Sequence, residues 1–278
     1  MLSYQHIYHA GNPADIHKHL WLVTVLAYLR QKEAPLTWID THGGRGLYDL
    51  TAPEALKRKE FEAGLFPVLD FFNTAPPDSL PAPLRHYRDI LMACNPDRSG
   101  RPSCYPGSAF IAAQMLRPTD SLHSFDLHPA EYAHLAQSLK PFSHAHIQKS
   151  DGTQALHALL PPVSRRGGAL IDPSYEIKTE YTEIFEHLQS ALKRFPQGTF
   201  MIWYPLLPAG RHHDLTAPCQ SLPYPYEIDE WHFTPPHDKP HGLYGSGMIL
   251  VNPPYTTPKT MAHIKSLILP VLMASERI

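Results

Sequence analysis

The sequence predicts an α/β protein: a mainly parallel sheet with helices on both faces, interrupted near its start by a helical insertion. Three observations predict it. From about residue 105 onward, short apolar runs alternate with stretches of helical spacing. Aspartates stand at the ends of strand candidates, at Asp40, Asp126, Asp151 and Asp172, and strand ends are where open α/β sheets bind ligands. Between the first strand candidate and the rest lies a stretch with helical spacing and a proline-rich break.

The segment Met1–Lys18 is polar and histidine-rich, and its Gly11-Asn12-Pro13 is a turn signal. Asp15 can cap the apolar stretch after it, so Ile16–Gln31 reads as a helix ended by Pro35. Thr37–Asp40 is a strand candidate running into Thr41-His-Gly-Gly-Arg-Gly46. Residues 1–50 are thus the N-terminal segment and first strand of the main domain. Residues 51–104 read as the insert, with Glu54–Phe72 and Leu84–Cys94 helical around the proline-rich Ala75–Pro83. The remainder of the main domain is 105–278. Its helices are Ser108–Leu116, Pro129–Leu139, Thr153–Leu160, Thr179–Arg194 and Pro258–Leu272. Its strands are Ser121–Leu127, His146–Lys149, Gly168–Asp172, Thr199–Tyr204, Tyr226–Phe233 and Met248–Val251. With Thr37–Asp40 that makes a seven-stranded sheet. The last two strands have no helix between them, so they should pair antiparallel at one edge.

Composition narrows the function. A chain of 278 residues with 43% hydrophobic and 18% charged residues is folded rather than disordered. Its net charge of -2 gives no global basic field, so any nucleic-acid site has to be a local patch. Candidates for that patch are Lys18, Arg45 and Arg165-Arg166. The three cysteines are scattered without a CxxC, which fits a reducing compartment. The longest apolar run, Leu20–Leu29, is half of the roughly 20 residues a membrane span needs. With no signal-peptide pattern, a cytoplasmic protein is expected. The histidines come in close pairs, but HExxH and the zinc-deaminase pattern are missing, so no metal is expected.

Two motifs carry chemistry. Asp40-Thr-His-Gly-Gly-Arg-Gly46 puts glycines where a backbone can approach a ligand, beside an acid at a strand end. Asp172-Pro173-Ser174-Tyr175 brings a carboxylate, a carbonyl outside the strand ladder and an aromatic ring together at another strand end. That set suits a planar base with an exocyclic amine: two acceptors for its N–H groups and a ring for its face. Each motif alone also fits an ordinary turn. Aspartates at four strand ends together favour a binding site, with Asp126 placed to take ribose hydroxyls.

Asp40-xxx-Gly-x-Gly with a downstream Asp-Pro-x-aromatic resembles the amino-methyltransferases that use S-adenosylmethionine. The likeness is closer to one family. Met1-Leu-Ser-Tyr-Gln-His6, His9-Ala-Gly-Asn-Pro-Ala-Asp-Ile-His-Lys-His19, Tyr105-Pro-Gly-Ser108, Leu127-His-Pro129, Asp151-Gly152, Trp203-Tyr-Pro205 and Asn252-Pro-Pro254 resemble the RlmJ family across nearly the whole chain. The resemblance implies a Rossmann-like class I methyltransferase that methylates the exocyclic N6 of an adenine in large-subunit ribosomal RNA. It implies cofactor contacts from His19, His42, Ser108, Asp126, Asp151, Gly152 and Asp172, and a catalytic set of Asp172, Pro173 and Tyr175. Tyr4, His6 and Lys18 would meet the RNA, which the insert would help position. The expected substrate is protein-free or early-assembly ribosomal RNA, and a monomer is favoured. Two departures stand out: Ser174 replaces the second proline of Asp-Pro-Pro-Tyr, and Asp126 replaces a glutamate. The family is also linked to external DNA as a nutrient, so the competing reading is a non-catalytic nucleic-acid-binding protein of DNA uptake. A nucleic-acid hydrolase would need a metal carboxylate cluster or a nucleophile pair, and the sequence offers neither.

Overall fold

Helix α1 (Pro13–Leu29) starts earlier than expected, because the side chain of Asn12, not Asp15, caps it by accepting the Asp15 N–H at 2.8 Å. Pro13 then sits at the first helical position, where its missing donor costs nothing. The structure is a computed structural model describing residues 4–96, 101–235 and 242–275. Met1-Leu-Ser, the start of the family-like opening, lies outside them.

In chain order there follow β1 (Thr37–Asp40), β2 (Leu47–Asp49), α2 (Pro53–Arg58), α3 (Leu65–Thr74), α4 (Ala82–Cys94), β3 (Cys104–Pro106), α5 (Ser108–Met115), β4 (Ser121–Phe125) and α6 (Pro129–Leu139). Then come β5 (Ala145–Gln148), α7 (Gly152–Leu159), β6 (Gly167–Ile171), α8 (Glu180–Arg194), β7 (Thr199–Leu206), α9 (His212–Thr216), β8 (Tyr226–His232), β9 (Gly245–Val251) and α10 (Thr257–Ser275). Seven strands form one sheet in the order β5-β4-β1-β6-β7-β9-β8. All neighbours pair parallel except β9, which runs antiparallel to both β7 and β8. The chain winds outward from β1 through β4 to β5, then returns to β6 on the other side of β1. The gap beyond the carboxyl ends of β1 and β6 is therefore the switch point at which such sheets bind ligands.

Two apolar layers flank the sheet. On one side α7 and α8 bury Leu156, Ile184, Phe185 and Leu188 against Ile39, Ile171 and Phe200. On the other side α1 is buried from Pro13 to Leu26, which is why it shows no polar face. It lies between the sheet, α10 and the insert, whose Leu65, Val68, Phe72, Leu84, Tyr87 and Leu91 belong to the same apolar layer as Trp21 and Leu22.

The expected single helix over Glu54–Phe72 is broken into α2, a short 3-10 turn at Glu60–Glu62 and α3. Lys59 takes a left-handed φ of 52° there. Gly64 lies so close to the N-terminal turn that a Cβ would stand 2.2 Å from the Gly11 carbonyl. That carbonyl instead accepts the Leu65 N–H at 2.9 Å, tying the insert to the start of α1. The three-residue strands β2 and β3 pair at the insert's base and were too short to carry a periodic signal. The edge pairing of β8 with β9 matches expectation. No helix among the described residues is long and apolar enough to cross a membrane.

Candidate active site

A cavity of about 840 Å³ opens at the carboxyl ends of β1, β4, β6 and β7. Every residue that the family resemblance implies for cofactor, catalysis or RNA lines it: Tyr4, His6, Lys18, His19, His42, Ser108, Asp126, Asp151, Gly152, Asp172, Pro173 and Tyr175. Asp40 lies just behind them, fully buried at the end of β1.

One half of the cavity is built from the loops after β1, β4 and β5. Asp126 accepts the Gly44 N–H at 3.1 Å and the His128 N–H at 2.8 Å. Gly44 can present that N–H because it holds a φ of 58°. Burial pushes the Asp126 carboxyl up to about 6, and burial does the same to Asp40, also to about 6. Asp151 caps α7, accepting the Thr153 N–H at 2.9 Å and its hydroxyl at 2.7 Å. Burial opposes its charge, but these bonds hold its carboxyl below the ordinary value. Gly152 is the one residue that fits next: a Cβ would lie 2.1 Å from the Thr41 carbonyl.

His19 is buried, and burial drives it down to about 3, so its ring is neutral. Its Nδ1 lies 2.7 Å from the Tyr105 hydroxyl, itself 3.0 Å from that of Tyr87. If Tyr87 donates to Tyr105 and Tyr105 to Nδ1, the proton of His19 sits on Nε2, which is buried with no partner among the described residues. A buried donor without an acceptor is costly and suits an anionic ligand group.

The other half centres on Asp172, just past β6. Its Oδ2 takes the Lys18 ammonium at 2.6 Å, and Lys18 also meets Asp15 at 3.0 Å. Asp15 binds His6 Nε2 at 2.8 Å, and His6 Nδ1 meets the Tyr4 hydroxyl at 2.8 Å. Burial works against both charges. Even so, His6 and Lys18 hold Asp15 well below the carboxylate range, and Asp15 and Asp172 hold the Lys18 ammonium well above the lysine range. Tyr4, His6, Asp15, Lys18 and Asp172 are thus one polar chain from the N-terminal segment to the β6 loop. Asp15, expected as a cap, is its centre. The signal for it was its i,i+3 spacing to Lys18 on a helix.

Tyr175 adopts a φ of 54° and donates its hydroxyl to the Trp203 carbonyl at 2.7 Å. Only 8% exposed, its ring also packs on Tyr181 at 4.4 Å. Trp203 lines the cavity below the Lys18 ammonium, 5.6 Å from its ring centroid. Sequence reasoning quoted Trp203 only within the family-like Trp203-Tyr-Pro205 and gave it no role in the site, although it stands on an apolar strand near the carboxyl edge that flagged Asp172.

The proposed basic patch is corrected. Arg45 is buried and paired with Glu131 at 2.9 Å. Lys18 is buried between two carboxylates. Arg165-Arg166 precede β6, at the opposite end of the sheet from the cavity, and Arg166 binds the carbonyls of Leu29 and Ala34 at the end of α1. A run of exposed basic residues by the cavity is on the insert instead. Arg58 lines the mouth, with Lys57 and Lys59 beside it.

A family described as "RsmJ: Ribosomal RNA large subunit methyltransferase D, RlmJ" matches residues 33–276. The chain belongs to the RlmJ family. Ribosomal RNA large subunit methyltransferase J of Escherichia coli K12 is 37% identical over 268 residues, covering 95% of this chain and 91% of that protein. Its Haemophilus influenzae namesake is 32% identical over 265 residues, covering 95% and 92%. A Legionella pneumophila crystal structure matches with a TM-score of 0.84 and 34% identity, over 96% of this chain and 94% of that one. The RlmJ resemblance read across nearly the whole chain thus holds. The fold is the Rossmann-like fold of methyltransferases that use S-adenosylmethionine, and this chain is one of those enzymes.

Proposed function

We propose that the protein methylates the exocyclic N6 of an adenine in large-subunit ribosomal RNA, acting on protein-free or early-assembly RNA. The observation that carries this reading is the Asp172-Pro173-Ser174-Tyr175 loop in the cavity wall. Asp172 Oδ1 and the Pro173 carbonyl carry no hydrogen bond among the described residues. Two neighbouring acceptors fit the two hydrogens of an exocyclic amine.

The other half of the cavity fits the cofactor. The unpartnered His19 Nε2 suits the carboxylate of an amino acid, Asp126 and the Gly44 loop suit ribose hydroxyls, and Gly152 keeps the wall thin. His42, Ser108 and Asp151 complete that lining. When bound there, S-adenosylmethionine supplies an electrophilic methyl group on a sulfonium sulfur. The protein's work is on the amine, a poor nucleophile because its lone pair is delocalised into the ring. Asp172 and the Pro173 carbonyl draw its hydrogens out of the ring plane, so the lone pair can point along the line of attack. As the methyl left its sulfur for the nitrogen, with the C–S electron pair staying on the departing thioether, the amine would become acidic, and Asp172 Oδ1 is placed to take its proton. Tyr175 holds the face of the base, worth about 1–3 kcal/mol as a stack. The base must leave its helix to reach this loop, which single strands and junctions make cheapest. The insert, residues 51–104, presents Lys57, Arg58, Lys59 and Arg101 to the flanking phosphates. The deciding experiment is transfer of labelled methyl to protein-free ribosomal RNA, followed by mapping of the modified base. Label found only on duplex DNA would overturn the reading.

Two expected results test the halves of the cavity separately. Burial raises Asp126 to about 6, so in the free protein its protonated form favours the fold at low pH, and that contribution is lost as pH rises through 6. Ribose hydroxyls prefer the carboxylate, so ligand affinity runs the other way. S-Adenosylhomocysteine should bind more weakly below pH 6, by up to about tenfold per pH unit. Asp126→Asn should flatten that slope by one proton, and Asp126→Ala should weaken binding by about 1.5–3 kcal/mol. Calorimetry from pH 5 to 8 checks both, and an unchanged slope in Asp126→Asn removes Asp126 from the site.

At the other half, Ser174→Pro should leave turnover within about tenfold, roughly 1.4 kcal/mol in the barrier. The Ser174 N–H donates to no described residue, and its hydroxyl accepts only the Glu176 N–H, at 3.4 Å. A thousandfold loss would give Ser174 a chemical role.

A further inference from the structure

Behind the cavity wall, on the sheet face covered by α1, a second polar chain runs between tryptophans. Asp229 on β8 accepts the indole N–H groups of Trp21 and Trp231, both at 2.9 Å, and the Lys265 ammonium at 2.6 Å. His17 Nε2 lies 3.2 Å from the same carboxylate. Its Nδ1 lies 2.9 Å from Ser246 Oγ, which also accepts the Trp203 indole N–H at 2.9 Å. His17 and Ser246 are fully buried.

Donors and acceptors allow one direction for this chain. A carboxylate can only accept, so Nε2 of His17 carries the proton. Burial lowers His17 below its ordinary value, so the ring is neutral and Nδ1 is an acceptor. Ser246 therefore gives its hydroxyl hydrogen to His17 and uses a lone pair for Trp203. Asp229 has three donors without His17, so packing of the carboxylate does not require the link to Ser246. That link ends on Trp203, the wall residue that lies under Lys18 and receives the Tyr175 hydroxyl.

We infer that Asp229, His17 and Ser246 are positioning residues, which fix the plane of the Trp203 ring and, through it, the seat of the target base. The inference rests on the proposal that the base lies at the Asp172 loop. A fixed ring matters because misplacing the amine by about 1 Å is enough to cost on the order of a hundredfold in rate. Adjacent residues of α1 then serve one centre, His17 through Trp203 and Lys18 through Asp172.

The test uses three variants and two readouts. His17→Asn keeps an acceptor near the Nδ1 position, His17→Gln keeps a donor near Nε2, and Ser246→Ala removes the link. Hydrogen exchange of the Trp203 indole N–H, assigned with Trp203→Phe, should be faster in Ser246→Ala and His17→Gln while the Trp21 and Trp231 indoles stay protected. In those two variants kcat on ribosomal RNA should fall about tenfold or more with S-adenosylhomocysteine affinity within about twofold. His17→Asn should recover most of both losses, which a role in stability alone would not produce. Unchanged Trp203 exchange in Ser246→Ala, or equal losses in His17→Asn and His17→Gln, overturns the inference. Wild-type protein that leaves RNA unmethylated counts against the proposed function, while the exchange readout still decides the chain.

Discussion

Asp172→Ala is expected to slow methyl transfer to ribosomal RNA at least a thousandfold, about 4 kcal/mol in the barrier. S-Adenosylhomocysteine affinity should fall by no more than about tenfold, because Asp172 centres the other half of the cavity, while His19, His42, Ser108, Asp126 and Asp151 line the cofactor half. The split follows from which oxygen does what. Oδ2 is held by Lys18 at 2.6 Å, so the side chain cannot swing away, and Oδ1 is left for the amine. An alanine removes one of two acceptors and the destination of the proton in one step, and the Pro173 carbonyl cannot take over the second task. Asp172→Asn is the sharper control. It keeps an oxygen acceptor and the shape of the loop but not the basicity, and should remain at least about a hundredfold slow. Single-turnover rates with saturating cofactor measure both. Residual activity above a tenth of wild type for Asp172→Ala would place the amine elsewhere in the cavity.

Asp172 was legible in the sequence because β6 is an uninterrupted apolar run that must be buried and must stop at Asp-Pro, and chemistry collects where such strands stop. The same reasoning reached Asp40, Asp126 and Asp151, and the structure brings all four to one end of the sheet. What the sequence could not supply were pairings across the fold. Lys18 and Asp172 are 154 positions apart and His17 and Asp229 are 212 apart. Their contact depends on α1 lying across the sheet. Nor does adjacency to a strand say which end of it is meant. Arg165-Arg166 adjoin β6 at its amino end, away from the cavity, and Arg166 binds the chain at the end of α1. The basic run Lys57-Arg58-Lys59 was hidden by its balanced surroundings, and it stands exposed at the end of α2, where Lys59 turns left-handed.

Removing the Lys18 ammonium should cost both stability and chemistry, and the two losses are separable. Lys18 is buried between Asp15, 1% exposed at the side chain, and Asp172, at 13%. Its loss strands those carboxylates. Stability should drop by about 2 kcal/mol, below the roughly 3–5 of a wholly unpaired buried charge. Asp15 still has His6 and the Gly11 N–H, and Asp172 can take water from the cavity. The sign with pH is fixed. Asp15 is held below its ordinary value, so its contribution is full above about 4 and disappears as pH falls. Lys18 is held above its ordinary value, so its contribution is lost only far above neutrality. Lys18→Met should therefore lose stability at pH 7 and show a shallower acid limb than wild type. Methyl transfer should fall about a hundredfold or more, because Asp172 then loses the contact that fixes Oδ1 toward the amine. Cofactor affinity should change far less. Adding Asp15→Asn to Lys18→Met removes one stranded charge and should restore part of the melting temperature without restoring turnover. If turnover returned with stability, Lys18 would be a structural counter-ion and nothing more.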